Sequence, residues 1–164
     1  MRLWSIHPVY LDDIGLSRCY YEGIGGLKTM LGMQRMHANH PQLNRFKQSK
    51  DPVNNLKYYL IHVYTESVFR EKDYKHFELL EDLCLKSYKP DYIPVSNKQL
   101  EFEIRWLVGK MSTERCYNSH QKIERLMYDY QNKNISSLTH HLFNVVDGEI
   151  EDWERSHLDK EIVR

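Results

Sequence analysis

This 164-residue chain is predicted to form a mainly α-helical single domain. A long loop should follow the first helix, and a short β-hairpin should lie near the C-terminus. Three observations predict that fold. Apolar residues recur at spacings of three and four along most of the chain. Helix-start signals stand ahead of two of those stretches. Only one stretch, near the end, carries a hairpin pattern.

The first helix is expected to start near Asp12, after the Pro8 turn, and to run toward Met33, with Leu16, Tyr20, Ile24 and Leu27 on one face. Gly23, Gly25 and Gly26 interrupt it, at a cost of about 1 kcal/mol each relative to Ala. Three glycines so close together suit the near approach of another backbone or a ligand. Residues 34–50 read as a polar loop. Asp51-Pro52 then starts a second helix, with Asp as N-cap and Pro in the first turn. It continues through Leu56, Leu60 and Val63 to about Phe69. A third helix is expected over 73–87, from the face formed by Phe77, Leu80, Leu83 and Cys84. Pro90 and Pro94 make KPDYIP a linker. Ser96 caps a fourth helix through Leu100, Ile104, Leu107 and Met111, and a fifth is expected over 115–131. Val145, Val146 and Ile150 flank Asp147-Gly148, the hairpin signal.

The chain carries zero formal net charge, but the charge is unevenly spread. Residues 1–50 hold seven Lys and Arg against three acids, whereas 111–164 hold seven against ten. Binding to phosphates needs a local basic patch, so nucleic acid remains a candidate partner. No apolar run of 18 residues exists, which argues against a membrane span. Three cysteines without a CxxC pair suit a reduced, cytoplasmic setting.

Common chemical motifs are missing: there is no P-loop, GxSxG or HExxH. His37-x-x-His40 and His140-His141 lack zinc-spaced Cys or carboxylate partners, so neither a metal nor another cofactor is expected. The N-terminus is more informative. Arg2 is too bulky for the usual removal of an initiator Met, so the α-amine is expected on Met1. Near pH 7.4 about a quarter of α-amines are neutral, against about one lysine in a thousand. Such an amine is a ready nucleophile toward a sugar C1′ or a carbonyl, giving an imine. Leu3, Trp4 and Ile6 are apolar enough to draw residue 1 into the fold.

The segment MRLWSIHPVYLDDIGLSRCYYE resembles the start of the phage-type pyrimidine-dimer DNA glycosylases and their bacterial relatives. In that family the N-terminal residue is followed by Arg, and a catalytic Glu lies on the first helix. With no gap, these fall on Met1, Arg2 and Glu22. NHPQLNRFK (39–47) is similar to a loop of the bacterial members, FEIRWLVGKMSTER (102–115) is a weaker match, and NVVDGEIEDWE (144–154) is similar to their tail. Where the phage enzymes carry first-helix arginines beside the Glu and three residues after it, this chain has Tyr21 and Gly25.

The resemblance implies a cofactor-free DNA glycosylase with abasic-site lyase activity, acting as a monomer on double-stranded DNA with a damaged base. Met1 would be the nucleophile and Glu22 the acid–base group. Arg2 would grip a phosphate in a two-pronged bond. Arg18, Tyr21, His40, Arg45 and Lys47 complete the candidate substrate-binding residues. The alternatives are a non-catalytic DNA-binding relative on the same scaffold, or an enzyme acting on a small nucleotide-like substrate.

Overall fold

Residues 1–154 are described by a computed structural model of the chain. Helix α1 (Asp13–Met30) starts where the Asp12 carboxylate accepts the Gly15 N–H, an N-cap that satisfies one otherwise orphaned donor. Helix α3 (Pro52–Phe69) is capped in the same way by Asp51, which accepts from Asn54 N–H, with Pro52 in the first turn. Between them lies a short helix, α2 (Pro41–Lys47), inside the stretch expected to be loop. His40 caps it by accepting the Gln42 N–H on Nδ1. Leu43 and Phe46 are buried on its inner face, so α2 forms because it completes the core.

The glycines of α1 are explained by packing against these neighbours. A Cβ on Gly23 would lie 2.4 Å from Leu60 Cδ2 of α3, and one on Gly26 would lie 2.9 Å from Leu43 Cδ1 of α2. A Cβ on Gly25 meets nothing nearer than 3.6 Å. Gly23→Ala is therefore expected to destabilise the protein by about 1–3 kcal/mol through overpacking. Gly25→Ala should instead gain up to about 1 kcal/mol from helix propensity. Urea unfolding of both variants checks the contrast, and equal effects would contradict this packing.

The stretch 73–87 departs from expectation. It holds only a 3₁₀ turn, Phe77–Leu79, and further turns. Glu71 and His76 adopt φ of 58° and 74°, which breaks any helix running through them. Leu80 is nevertheless fully buried, so the apolar spacing reports core contact and not helix.

Helix α4 (Asn97–Met111) is capped by Ser96, and α5 (Ser119–Asn132) follows. The hairpin does not form. Strand β2 (Phe143–Val146) pairs in parallel with β1 (Ile93–Ser96), matching Ile93 to Phe143 and Val95 to Val145. The partner strand thus lies in the segment read as a linker, where Ile93 and Val95 alternate around an exposed Pro94. Asp147-Gly148 turns against the start of α4 instead: Asn97 Oδ1 accepts the Gly148 N–H.

One apolar cluster runs through these elements, from Leu3 and Ile6 through Tyr20, Leu27, Leu60, Leu100 and Leu107 to Leu142 and Phe143. Among the described residues no helix is long and apolar enough to cross a membrane. The three cysteines are free thiols.

Four imidazoles meet at the edge of this core. The ring centres of His7 and His141 lie 5.1 Å apart, those of His62 and His140 5.1 Å, and those of His62 and His141 5.3 Å. Burial, with His141 adding to it, pushes His7 down to about 4. Burial likewise lowers His62 and holds the enclosed His140 well below the usual imidazole range. In the unfolded chain His7, His62 and His140 take up protons near pH 6.5, but in the fold these three do so only at lower pH. Their contribution to stability is complete above about pH 6.5 and is lost as pH falls toward 4, at up to about 1.4 kcal/mol per pH unit for each group. The urea midpoint should therefore drop steadily between about pH 6.5 and 4.5. A midpoint that stays level across that window would contradict the assignment.

Candidate active site at the N-terminus

Residues 1–7 belong to no helix, and their only strand-like pairing among the described residues is the bridge between Ile6 and Thr139. Buried backbone must still find hydrogen-bond partners. Here they come mainly from side chains of surrounding elements. Arg2 N–H donates to Glu22 Oε2 of α1 at 2.6 Å, and Leu3 N–H to Gln42 Oε1 of α2 at 3.3 Å. The Leu3 carbonyl accepts from Arg45, and the Trp4 carbonyl from the Tyr59 hydroxyl at 2.8 Å. Ser5 donates its N–H to Glu103 of α4 at 2.6 Å, and its carbonyl accepts the His140 N–H at 2.7 Å. Leu3, Trp4 and Ile6 are buried beneath these bonds.

This arrangement sets the amine. The Met1 nitrogen lies 3.9 Å from Glu22 Oε2. The Met1 side chain is fully buried, with Sδ near Gly26, while the Glu22 side chain keeps 37% of its surface exposed. Both groups open into a cavity of about 380 Å³. His40, Trp106, Lys110 and Trp153 also line it. Because His40 Nδ1 accepts a backbone N–H, its proton sits on Nε2. Burial, then the charge of the Met1 amine, lowers the His40 pKa. Lys110 Nζ lies 5.3 Å from the centre of the Trp106 ring, and burial, then Arg115, Arg2 and Arg18, lowers its pKa. An amine and a carboxylate beside a cavity walled by two indoles form a set suited to imine chemistry on a sugar.

A scan of protein families matches residues 1–82 to the pyrimidine dimer DNA glycosylases. The chain belongs to this family. Comparison with curated proteins and with solved structures gives no significant match. The family match spans half of the chain and takes in Met1, Glu22 and His40. The cavity's indoles and Lys110 lie outside it.

The fold uses several of the residues expected to bind DNA otherwise. Arg2 does not present a free fork for a phosphate: its guanidinium makes a two-pronged pair with the buried Glu154. Arg45 is buried, donates to Ser5 Oγ at 2.9 Å and to the Leu3 carbonyl, and lies 3.9 Å from Glu103. It is an internal strut holding the N-terminal segment, not a surface phosphate contact. Tyr21 is not among the residues lining the cavity; it packs on Tyr20 and Tyr74 and accepts the Lys75 N–H at 3.2 Å. Arg18 is exposed and makes no ion pair with Glu22, and Lys47 is exposed with its ammonium on the Ala38 carbonyl. Among the described residues no group of three or more His, Cys, Asp or Glu is disposed to hold a metal ion.

Sequence reasoning missed Trp106, Lys110 and Trp153. The signal was present: Trp106 and Lys110 are four apart on one helical face, and all three lie in the stretches 102–115 and 144–154 that resemble the family.

Proposed function

We propose that the chain is a DNA glycosylase with abasic-site lyase activity, using the Met1 α-amine as nucleophile and Glu22 as acid–base group. The observation that carries this is the amine held 3.9 Å from Glu22 at the edge of a cavity with indole walls. C1′ lies inside the base stack, so the target nucleotide must first be extruded. The neutral amine attacks C1′, the C1′–N bond to the base breaks with its electron pair passing to the base, and the departing base takes a proton from water. Glu22 takes the proton lost by the amine and delivers it to the ring oxygen, which opens the sugar as an imine forms. Glu22 then removes a C2′ proton, and the 3′ phosphate departs by β-elimination. Water releases the sugar fragment and restores the amine.

Trp106 and Trp153 suit stacking against the extruded nucleotide, a contact that tolerates any base. Lys110 and Arg18 provide positive charge for the DNA backbone in place of the internally paired Arg2 and Arg45. His40 offers Nε2–H to the substrate. This reading takes residues 1–164 as one domain, because α4 and the 151–154 segment wall the same cavity as residues 1–82.

Borohydride trapping on a duplex with one abasic site tests the proposal. The expected result is a covalent protein–DNA adduct at neutral pH, with a parallel yield of β-elimination product when reductant is omitted. A shifted band without an adduct would make the chain a binding protein. Neither band nor adduct would point to a small substrate.

A further inference from the structure

We propose that Glu154 is a positioning residue for the Met1 amine, acting through Arg2. The inference rests on the reading of that amine as nucleophile. Arg2 is held from two directions. Its backbone N–H donates to Glu22 Oε2 at 2.6 Å, and its guanidinium meets both carboxylate oxygens of Glu154, one of them at 2.9 Å. A fork bound at both prongs fixes the guanidinium plane as well as its distance. The amine is one peptide unit away, and the Met1 side chain is buried beside Gly26. Residues on either side of the amine's only covalent link are thus immobilised.

Glu154 is itself firmly placed. It is fully buried, and Gln99 Nε2 of α4 donates to it at 3.1 Å. The same Gln99 nitrogen reaches Glu103 at 3.2 Å, the carboxylate that accepts the Ser5 N–H. Gln99 Oε1 accepts the Glu151 N–H at 3.1 Å. One amide of α4 therefore joins the 151–154 segment to the N-terminal segment. A buried carboxylate paired with a buried-edge guanidinium holds its geometry because separating them strands a charge away from water. The sequence places this acid outside the part of the chain that matches the family, so the amine's surroundings are completed by a residue of the other half.

The test uses the full chain and two readouts. In Glu154→Gln, single-turnover imine formation on the abasic-site duplex should fall by roughly ten- to a hundredfold, the scale of a slightly misplaced reacting group. Affinity for the same duplex should change less than about twofold. The double variant Arg2→Gln/Glu154→Gln should lose no more than either single variant, because the pair acts as a unit. Reductive methylation of the Met1 amine with formaldehyde, read by mass spectrometry, should speed up in Glu154→Gln, since the freed terminus is more accessible. Arg2→Lys keeps the charge but only one prong; it should fold like the parent and still lose imine formation, which decides the matter if Glu154→Gln folds poorly. Unchanged imine formation and unchanged methylation would overturn the proposal, as would a loss confined to DNA affinity. If the parent protein gives no adduct at all, the nucleophile assignment fails, and the methylation rates alone then decide whether Glu154 holds the terminus.

Discussion

Adding a single residue ahead of Met1 is expected to abolish borohydride trapping while leaving the fold intact. Two effects combine. The α-amine becomes an amide nitrogen, whose lone pair is delocalised and not nucleophilic. The added residue must also enter the cavity of about 380 Å³ in which the substrate sugar would sit. Stability should barely change, because the buried side chains of the segment begin at Met1 and Leu3 and their hydrogen bonds begin at Arg2. The experiment compares adduct yield and urea midpoint for the parent and extended chains. Full trapping by the extended protein would sink the assignment and point to a lysine. Lys110 is then the group to replace, since it lines the cavity and burial lowers its pKa.

The Glu22→Gln variant is expected to bind duplex DNA normally and to lose base release and strand cleavage by at least about a hundredfold, the usual scale for a general acid–base group. The amide is nearly isosteric, and its carbonyl can still accept the Arg2 N–H that Glu22 now accepts at 2.6 Å. The amine therefore stays in place, and only the proton acceptor is lost. Single-turnover cleavage on an abasic-site duplex, set beside binding to the same duplex, separates the two effects. Unchanged cleavage would remove Glu22 from the chemistry.

Much of the helical framework was legible because helix starts are local events. Asp12, Asp51-Pro52 and Ser96 each cap the helix expected of them. Helix α2 escaped notice because its seven residues carry little periodicity and its cap is a histidine. The 73–87 stretch misled because core contact can be made by turns as well as by a helix, and the left-handed backbone at His76 leaves no mark in the residue pattern. The parallel pairing of β1 with β2 joins residues 50 apart, and nothing local announces it.

The site divides along the same line. Met1 and Glu22 were singled out by the family resemblance, and their nitrogen and carboxylate oxygen lie 3.9 Å apart in the fold. Arg2 and Arg45 looked like phosphate contacts because their acidic partners, Glu154 and Glu103, are remote in sequence. A surface cation and a buried strut look identical until the partner is known. Trp106, Lys110 and Trp153 reach the cavity only through the packing of α4 and the 151–154 segment.

The hydrogen bonds that hold residues 1–7 have a consequence for how the molecule is assembled. Ser5 waits for Glu103, 98 positions along the chain, and Arg2 for Glu154, 152 positions along. Contacts of such separation require the largest loop closures and bring no return until the intervening helices are in place. The contacts that anchor the segment on its far side therefore close last, while the bond from Arg2 N–H to Glu22 spans only 20 positions. The arrangement of amine, carboxylate and cavity is thus a property of the completed fold, whereas the intrinsic reactivity of an α-amine toward aldehydes is already present in the unfolded chain.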